Sequence, residues 1–342
     1  MTQRIGYACK YLHHDQSITS KLLEQYQRPL NSRTTTVAWM NSRPEAEAVA
    51  RVHEIVSHNL NAVKQQLIAM QFKPDALRMM RITSDLLPFY THEKWQKLYT
   101  DDTFVRDIQV QFGKLGDLAR KHDVRVSFHP GQFCVLASDN PNIVERSIAE
   151  FEYHADMLRW MGYGKTFQDA KCNIHLSGKG GAAVFRDSFS RLSPEAKNVI
   201  TVENDEMSKG IDDVLEIADL CPIVLDIHHH FVHSKGEYIL PSDERFAKVI
   251  ASWRGVRPVI HYSVSREEYL SHFEPDQLPD FAVLESLGFG KQKLRAHSDG
   301  LPNTACNDWA LSFLPYADIM VEAKLKNLAS TNLYEHHMSK NA

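Results

Sequence analysis

Imidazoles and carboxylates recur in this sequence where short apolar runs end. His129 follows "RVSF", His175 closes "CNIH", Glu203 closes "ITVE", and Asp226 and His229 follow "PIVL". His261 lies in "PVIHYSVS" and Glu322 in "DIMVEAK", while His92 and His297 stand in longer polar stretches. One such histidine is ordinarily a hydrogen-bonded polar residue, and the aspartate of "LDIHHH" can simply cap a helix. Six histidines and three carboxylates in equivalent places ask for a common explanation. Gathered in one desolvated site, so many titratable groups would be too costly unless cations neutralised them. Mixed nitrogen and oxygen ligation suits Mn2+, Zn2+ or Fe2+ better than Ca2+ or Mg2+. These donors are more than one ion uses, so two or three divalent ions are expected. Asp226 and His229 form the strongest local pair, whereas His228 and His230 are not expected to be ligands. His13, His14, His53, His58, His336 and His337 fall on helix or loop patterns and are read as surface residues.

The elements that must position these groups follow from periodicity. Eight β-branched or apolar runs, at 4–9, 76–83, 125–130, 172–178, 198–205, 222–229, 258–265 and 318–324, alternate with amphipathic patterns such as 44–70, 105–123 and 141–162. Asn140 and Pro141 make a cap and first-turn pair for the last of these. Alternation of this kind predicts an α/β chain folded as a (β/α)8 TIM barrel, a single domain over 1–342, whose strands deliver their C-terminal residues to one mouth. Long insertions at about 10–40 and 266–316 belong on that same face, and 326–342 reads as a tail. An open doubly wound sheet is the competing fold. It ordinarily carries a Gly-rich turn after its first strand, and "YACKYLHH" is not one. The "SGKGG" at 177–181 lacks P-loop spacing and reads as a loop.

Bulk properties narrow the partners. A net charge of −4 offers no global attraction to nucleic acid or anionic membrane. A DNA-binding role therefore needs a local basic groove or bound cations to offset phosphate charge. The five cysteines are scattered without a CxxC pair, which fits a reducing compartment and argues against a disulfide framework or zinc finger. Cys172 and Cys221 read as small core residues. "MTQRIGYACK" lacks the apolar run of a signal peptide, and no window approaches a membrane span, so a soluble cytoplasmic protein is expected.

The segments "IGYAC", "RITSDLLPF", "SFHPGQF", "HLSG", "VENDE", "LDIHHH", "HYS" and "VEAK" occur in this order through almost the whole chain. With them the sequence resembles the UV damage endonucleases, barrel enzymes related in architecture to endonuclease IV and the xylose-isomerase-like barrels. "SFHPGQF" together with "VENDE" is the specific combination. The resemblance implies hydrolysis of one DNA phosphodiester bond immediately 5′ of a UV photoproduct, a pyrimidine dimer or 6-4 product, leaving a 3′-hydroxyl and a 5′-phosphate. It implies a multinuclear metal site, manganese foremost, held by His92, His129, His175, Glu203, Asp226, His229, His261, His297 and Glu322. Glu203, His229 and Lys324 would be the catalytic residues. Gln132 and Phe133 would probe the lesion, with Tyr7 as their companion, because an amide and an aromatic ring suit orphaned and unstacked bases. The implied partner is double-stranded DNA carrying UV lesions, met by a monomer that associates with the nucleoid when acting.

Three positions depart from the family pattern. Val259 stands where many relatives have a lysine two residues before the seventh-strand histidine, Tyr11 replaces an asparagine, and Leu325 replaces an acidic residue. Arg81, Lys179, Arg186 and Lys324 are candidate phosphate or active-site contacts. Alternative activities on the same metals are an abasic-site endonuclease, a sugar isomerase or epimerase, and a DNA-binding protein without catalysis.

Overall fold

In the computed structural model, which describes residues 2–15 and 17–340, all eight expected runs form strands. They are β1 (Ile5–Ala8), β2 (Met79–Arg81), β3 (Arg125–Phe128), β4 (Lys171–His175), β5 (Ile200–Glu203), β6 (Ile223–Val224), β7 (Val259–Tyr262) and β8 (Asp318–Val321). Every pairing is parallel, in the order β6-β5-β4-β3-β2-β1-β8-β7. A parallel bridge between Asp226 and His261 brings β6 to β7, with the His261 amide donating to the Leu225 carbonyl at 3.0 Å. The result is the expected TIM barrel.

The α-helices are α1 (Ser20–Gln27), α2 (Val37–Asn41), α3 (Glu45–Met70), α4 (Asp102–Lys121), α5 (Pro141–Trp160), α6 (Gly181–Ser190), α7 (Pro194–Val199) and α8 (Ile211–Leu215). There follow α9 (Ile227–Ser234), α10 (Glu244–Ser252), α11 (Glu267–Leu270), α12 (Phe281–Ser286), α13 (Lys291–Leu294), α14 (Thr304–Leu311) and α15 (Asn327–Lys340). The three long helices coincide with the three amphipathic patterns. Asn140 accepts from the Asn142 amide at 3.0 Å, and Pro141 occupies the first turn of α5. The stretch read as a tail is instead α15, which packs against β1. The insertions after β1 and β7 carry α1, α2 and α11 to α14. Among the described residues no helix is long and apolar enough to cross a membrane.

Strand parity sorts the interior. Successive side chains of a strand face opposite sides, so one set points to the helices and the other fills the barrel. Ile5, Met80, Cys172, Ile260 and Ile319 belong to the large apolar layer under the helices. Ala8, Met79, Val224, Val259 and Met320 form a separate small cluster with Trp253 inside the barrel. Gly6 shares that inner face, where a Cβ would lie 2.7 Å from the Met79 carbonyl oxygen, so only glycine lets Met79 cross. The N-terminal end is plugged by Asp318. It accepts from Arg125 at 2.6 Å, from Arg257 at 2.6 Å and from the Arg4 amide at 3.0 Å. This plug leaves the opposite, C-terminal end for chemistry.

Tyr7 lies on the outward parity of β1. Its ring is buried in the helix layer, and its hydroxyl donates to Gln66 of α3 at 3.1 Å. The lesion-contact role expected for Tyr7 is therefore corrected, since the residue faces away from the barrel interior and has no surface to offer DNA.

Candidate metal centre

The inward positions continue upward from the apolar cluster into a polar layer. On β4 they are Lys171, Asn173 and His175, on β5 Thr201 and Glu203, on β7 His261, and just beyond β6 and β8 Asp226 and Glu322. Pairing sets their neighbours: His175 lies opposite Glu203, and Asp226 opposite His261. Glu203 is the hub and is fully buried. Its Oε2 lies 2.9 Å from His261 Nδ1 and 3.5 Å from His129 Nε2, and its Oε1 lies 3.2 Å from His229 Nδ1. Asn173 donates to the same carboxylate, while Thr201 donates to Asn173 at 2.7 Å, which pins the hub from below. Glu322 lies 3.1 Å from His261 Nδ1 and is paired with Arg81.

Asp226 combines two roles that looked like alternatives. β6 ends at Val224 and α9 begins at Ile227, so the run expected at 222–229 is part strand and part helix. Asp226 Oδ1 caps α9 by accepting from the His229 amide at 2.6 Å, while Oδ2 makes no hydrogen bond. Of the other two histidines in "HHH", His228 contacts Ser263 and Ser265 at 3.0 and 3.1 Å, and His230 contacts Glu237 at 3.0 Å. Neither belongs to a ligand set of the cluster.

The donors fit divalent cations. Glu203 Oε1, Asp226 Oδ2, His175 Nδ1 and His261 Nδ1 are buried without a hydrogen-bond partner, an expensive condition for a site meant to stay metal-free. Three sets have ligand atoms within 4.8 Å of one another: His129, His175 and Glu203; Glu203, Asp226 and His229; and Asp226, His261 and Glu322. Electrostatics agree. Burial alone would raise the Glu203 carboxyl, but His261, His175, His129 and His229 outweigh it and hold it well below the usual carboxylate range. Burial, with Glu203 and Glu322 nearby, raises Asp226. Burial lowers His129 to about 4, so that ring stays neutral and able to ligate at neutral pH. His229 and His261 go the other way, their carboxylate neighbours overcoming burial. Cations bound beside them would oppose that rise.

Not every expected residue joins. His92 packs its ring edge-on against Phe89, and its Nδ1 accepts from the Lys94 amide at 3.2 Å. It belongs to none of the three sets, because the loop after β2 carries it to the rim. Lys324 is half-exposed and ion-paired with Asp299 at 2.8 Å, so the expected catalytic lysine points outward. Lys326 is the more enclosed of the two. Burial pushes its ammonium down, and Arg81 and Lys10 add to the effect. His297 stands beside the cluster, its ring 6.0 Å from that of His229. Gln132 and Phe133 lie on the exposed loop after β3, Phe133 with 84% of its surface open, so it is not core. Arg186 is tied to Asp219 at 2.7 Å on the outer surface.

Two residues escaped the sequence reading. Lys171, on the same face as His175, places Nζ 2.9 Å from His261 Nε2. A lysine missing at Val259 is thus answered by one from across the barrel. Burial pushes its ammonium down to about 7, and Arg81 and Arg125 press in the same direction against Glu203 and Glu322. The i, i+2, i+4 parity of "KCNIH" carried the signal. An amine there fixes the ring of His261 from behind, as outer partners of metal ligands do. Lys171→Met keeps the volume and removes a buried amine. It is expected to leave the thermal midpoint unchanged or higher while weakening Mn2+ binding about tenfold, measured by calorimetry. The other residue is Glu206, which is buried with Oε2 3.7 Å from His229 Nε2.

Comparison with known proteins agrees with this geometry. The model of the UV-endonuclease UvdE family matches residues 3–341. The UV DNA damage endonuclease of Bacillus pumilus is 28% identical, over 75% of this chain and 74% of its own. The UV-damage endonuclease of Schizosaccharomyces pombe is 27% identical over 99% of this chain, which spans only 51% of that longer protein. Among solved structures, the crystal structure of SacUVDE superposes with a TM-score of 0.71 at 24% identity, covering 99% of both chains. Endonuclease IV from Thermus thermophilus shares the fold, with a TM-score of 0.52 at 13% identity over 82% of this chain and 94% of its own. With a barrel, a donor cluster and a family match that runs from one end to the other, the chain belongs to the UV-endonuclease UvdE family.

Proposed function

We propose that this protein hydrolyses the DNA phosphodiester bond immediately 5′ of a UV photoproduct, using two or three divalent cations, manganese foremost and zinc or iron as alternatives. The observation that carries the reading is the convergence of Glu203, Asp226, Glu322 and their histidines at the barrel mouth, with Glu203 Oε1, Asp226 Oδ2, His175 Nδ1 and His261 Nδ1 buried and unpartnered. His129, His175 and Glu203 would hold one ion, and Glu203, Asp226, His261 and Glu322 a second. Bound cations supply Lewis acidity for a water nucleophile and charge for the phosphate and the leaving oxygen. Water adds across the P–O3′ bond, its hydroxyl to phosphorus and its proton to O3′, leaving a 3′-hydroxyl and a 5′-phosphate.

The chain's own residues orient and exclude. Arg81 anchors Glu322, Asn173 anchors Glu203, and Lys171 backs His261. Gln132 and Phe133 stand free on the same face to enter a duplex weakened by a fused photoproduct, where extrusion costs less than at normal bases. Phe133→Ala is expected to leave the thermal midpoint unchanged, since the ring supports no packing. It should weaken binding to a dimer-containing duplex about tenfold, from the loss of one base–aromatic stack. Anisotropy titrations on damaged and undamaged duplexes check this, and equal losses on both would remove the probing role.

The decisive experiment compares Mn2+-loaded protein on irradiated and unirradiated plasmid, then on duplexes carrying one dimer or one abasic site. Nicking 5′ of the dimer, with ends that a polymerase extends, is expected. Equal nicking of both plasmids, no nicking, or preference for the abasic site overturns the reading.

A further inference from the structure

We propose that Lys326 and Lys10, backed by Arg81, form a seat for a DNA backbone phosphate at one side of the barrel mouth. This rests on the reading above that the substrate is duplex DNA. Lys326 follows β8, Lys10 follows β1 and Arg81 closes β2, and these strands are consecutive in the sheet. Tyr7 pairs with Val321 and Ala8 with Arg81, so the three strand ends stand side by side. A reciprocal amide clamp then ties two of the loops together. The Leu12 amide donates to Asn327 Oδ1 at 2.7 Å, and Asn327 Nδ2 donates to the Leu12 carbonyl at 2.9 Å. Lys326 immediately precedes one half of the clamp and Lys10 lies just before the other, so both are carried into one corner.

Positive charge without a counterion marks that corner. Among the described residues, neither Lys10 nor Lys326 makes a side-chain hydrogen bond or an ion pair. For the exposed Lys10 this is ordinary, but Lys326 is half-buried. The charges that act on its ammonium include two cations, Arg81 and Lys10, and a Glu322 carboxylate that Arg81 already engages. Its chain neighbours Leu325 and Asn327 carry no charge. Lys324 shows the contrast, being neutralised by Asp299 at 2.8 Å. An enclosed ammonium among like charges is costly until an anion joins it. The backbone adds a second sign. Lys326 and Cys9, the residue before Lys10, hold left-handed φ values of 52° and 71°, a strain that side-chain-bearing residues keep where placement matters. A phosphodiester supplies the anion. Glu322 heads the loop that carries Lys326, so a phosphate held here borders the metal cluster and fixes the strand to be cut.

Anisotropy titrations of the whole chain on a dimer-containing duplex, run in chelator at several salt concentrations, test the seat without cleavage. Lys326→Met keeps the stem and removes the charge. It should weaken binding about five- to tenfold at about 0.1 M salt and lower the slope of log affinity against log salt by about one. Lys10→Gln should lower the slope likewise, the double variant by about two, and Lys326→Arg should restore it. The metal-free thermal midpoint of Lys326→Met should hold or rise, and bound Mn2+ per chain should not fall. Lys165→Met, on the loop that enters the opposite end of β4, controls for net charge and should leave the slope unchanged. Neutral methylphosphonates placed one at a time around the dimer locate the contact. At one of them the wild type should lose what Lys326→Met loses on the native duplex, and Lys326→Met should lose nothing more. A Lys326→Met chain that keeps the wild-type slope, loses no more than Lys165→Met, or melts lower overturns the seat. Failure of the nuclease reading is distinguishable. A protein with the expected slope change that does not nick irradiated DNA keeps the phosphate seat, and a nicking wild type with an unaltered Lys326→Met slope loses only the seat.

Discussion

Glu203→Gln is expected to lower the rate of nicking at a defined dimer by about a thousandfold or more, the scale of several kcal/mol of lost metal-ion assistance. The carboxylate is fully buried and belongs to two of the three ligand sets, so its neutralisation weakens both positions together. The amide retains an oxygen for Asn173 and the original volume, so the barrel should fold with an unchanged circular dichroism spectrum. Gln132 and Phe133 are untouched by the change and remain exposed, so binding to a lesion duplex should survive. The combination to look for is therefore binding without cleavage, accompanied by a drop in bound Mn2+ per chain. Nicking at the wild-type rate would contradict a shared hub at Glu203.

The barrel was legible in sequence because its strands are short β-branched runs whose endings change abruptly to polar. The convergence of seven donors followed, since a closed parallel sheet sends all its C-terminal ends to one mouth. What was not legible had local causes. The run at 222–229 looks like one strand, but Asp226 caps a helix that starts at Ile227, so only Ile223 and Val224 remain in the sheet. The chain from 326 onward has polar residues all around its helical wheel, which hides a helix stabilised by packing on β1 rather than by an amphipathic face. His92 was assigned from the loop after the second strand and Lys324 from the "VEAK" motif, and their side chains were sent elsewhere by the loops that carry them. Tyr7 was assigned the same way although its parity in β1 already opposed the role. Lys171 and Glu206 were missed because each is an ordinary charged residue until its strand or loop is placed in three dimensions. Parity could have found the first; the second needed the loop after β5.

Asp226 allows folding and metal binding to be separated at one residue. Its Oδ1 caps α9, and its Oδ2 faces the cluster without a hydrogen bond. Asparagine caps a helix as well as aspartate does, so Asp226→Asn should keep the cap and lose the charge. Burial already raises this carboxyl, so a neutral amide there avoids a desolvation cost, and the metal-free thermal midpoint should hold or rise. Mn2+ affinity at the second position should nonetheless fall a hundredfold or so, because Asp226 Oδ2 would be lost there as an anionic ligand. Asp226→Ala should show the same metal defect and, in addition, cost about 1 kcal/mol through the uncapped helix. Urea unfolding of both variants in chelator, set beside Mn2+ calorimetry, separates the two effects. If both lose stability equally, the cap is not what Oδ1 contributes; if Asn keeps wild-type affinity, Oδ2 is not a ligand. The helix that begins at this cap also carries His229, so one carboxylate starts the helix with one oxygen and meets the metal site with the other.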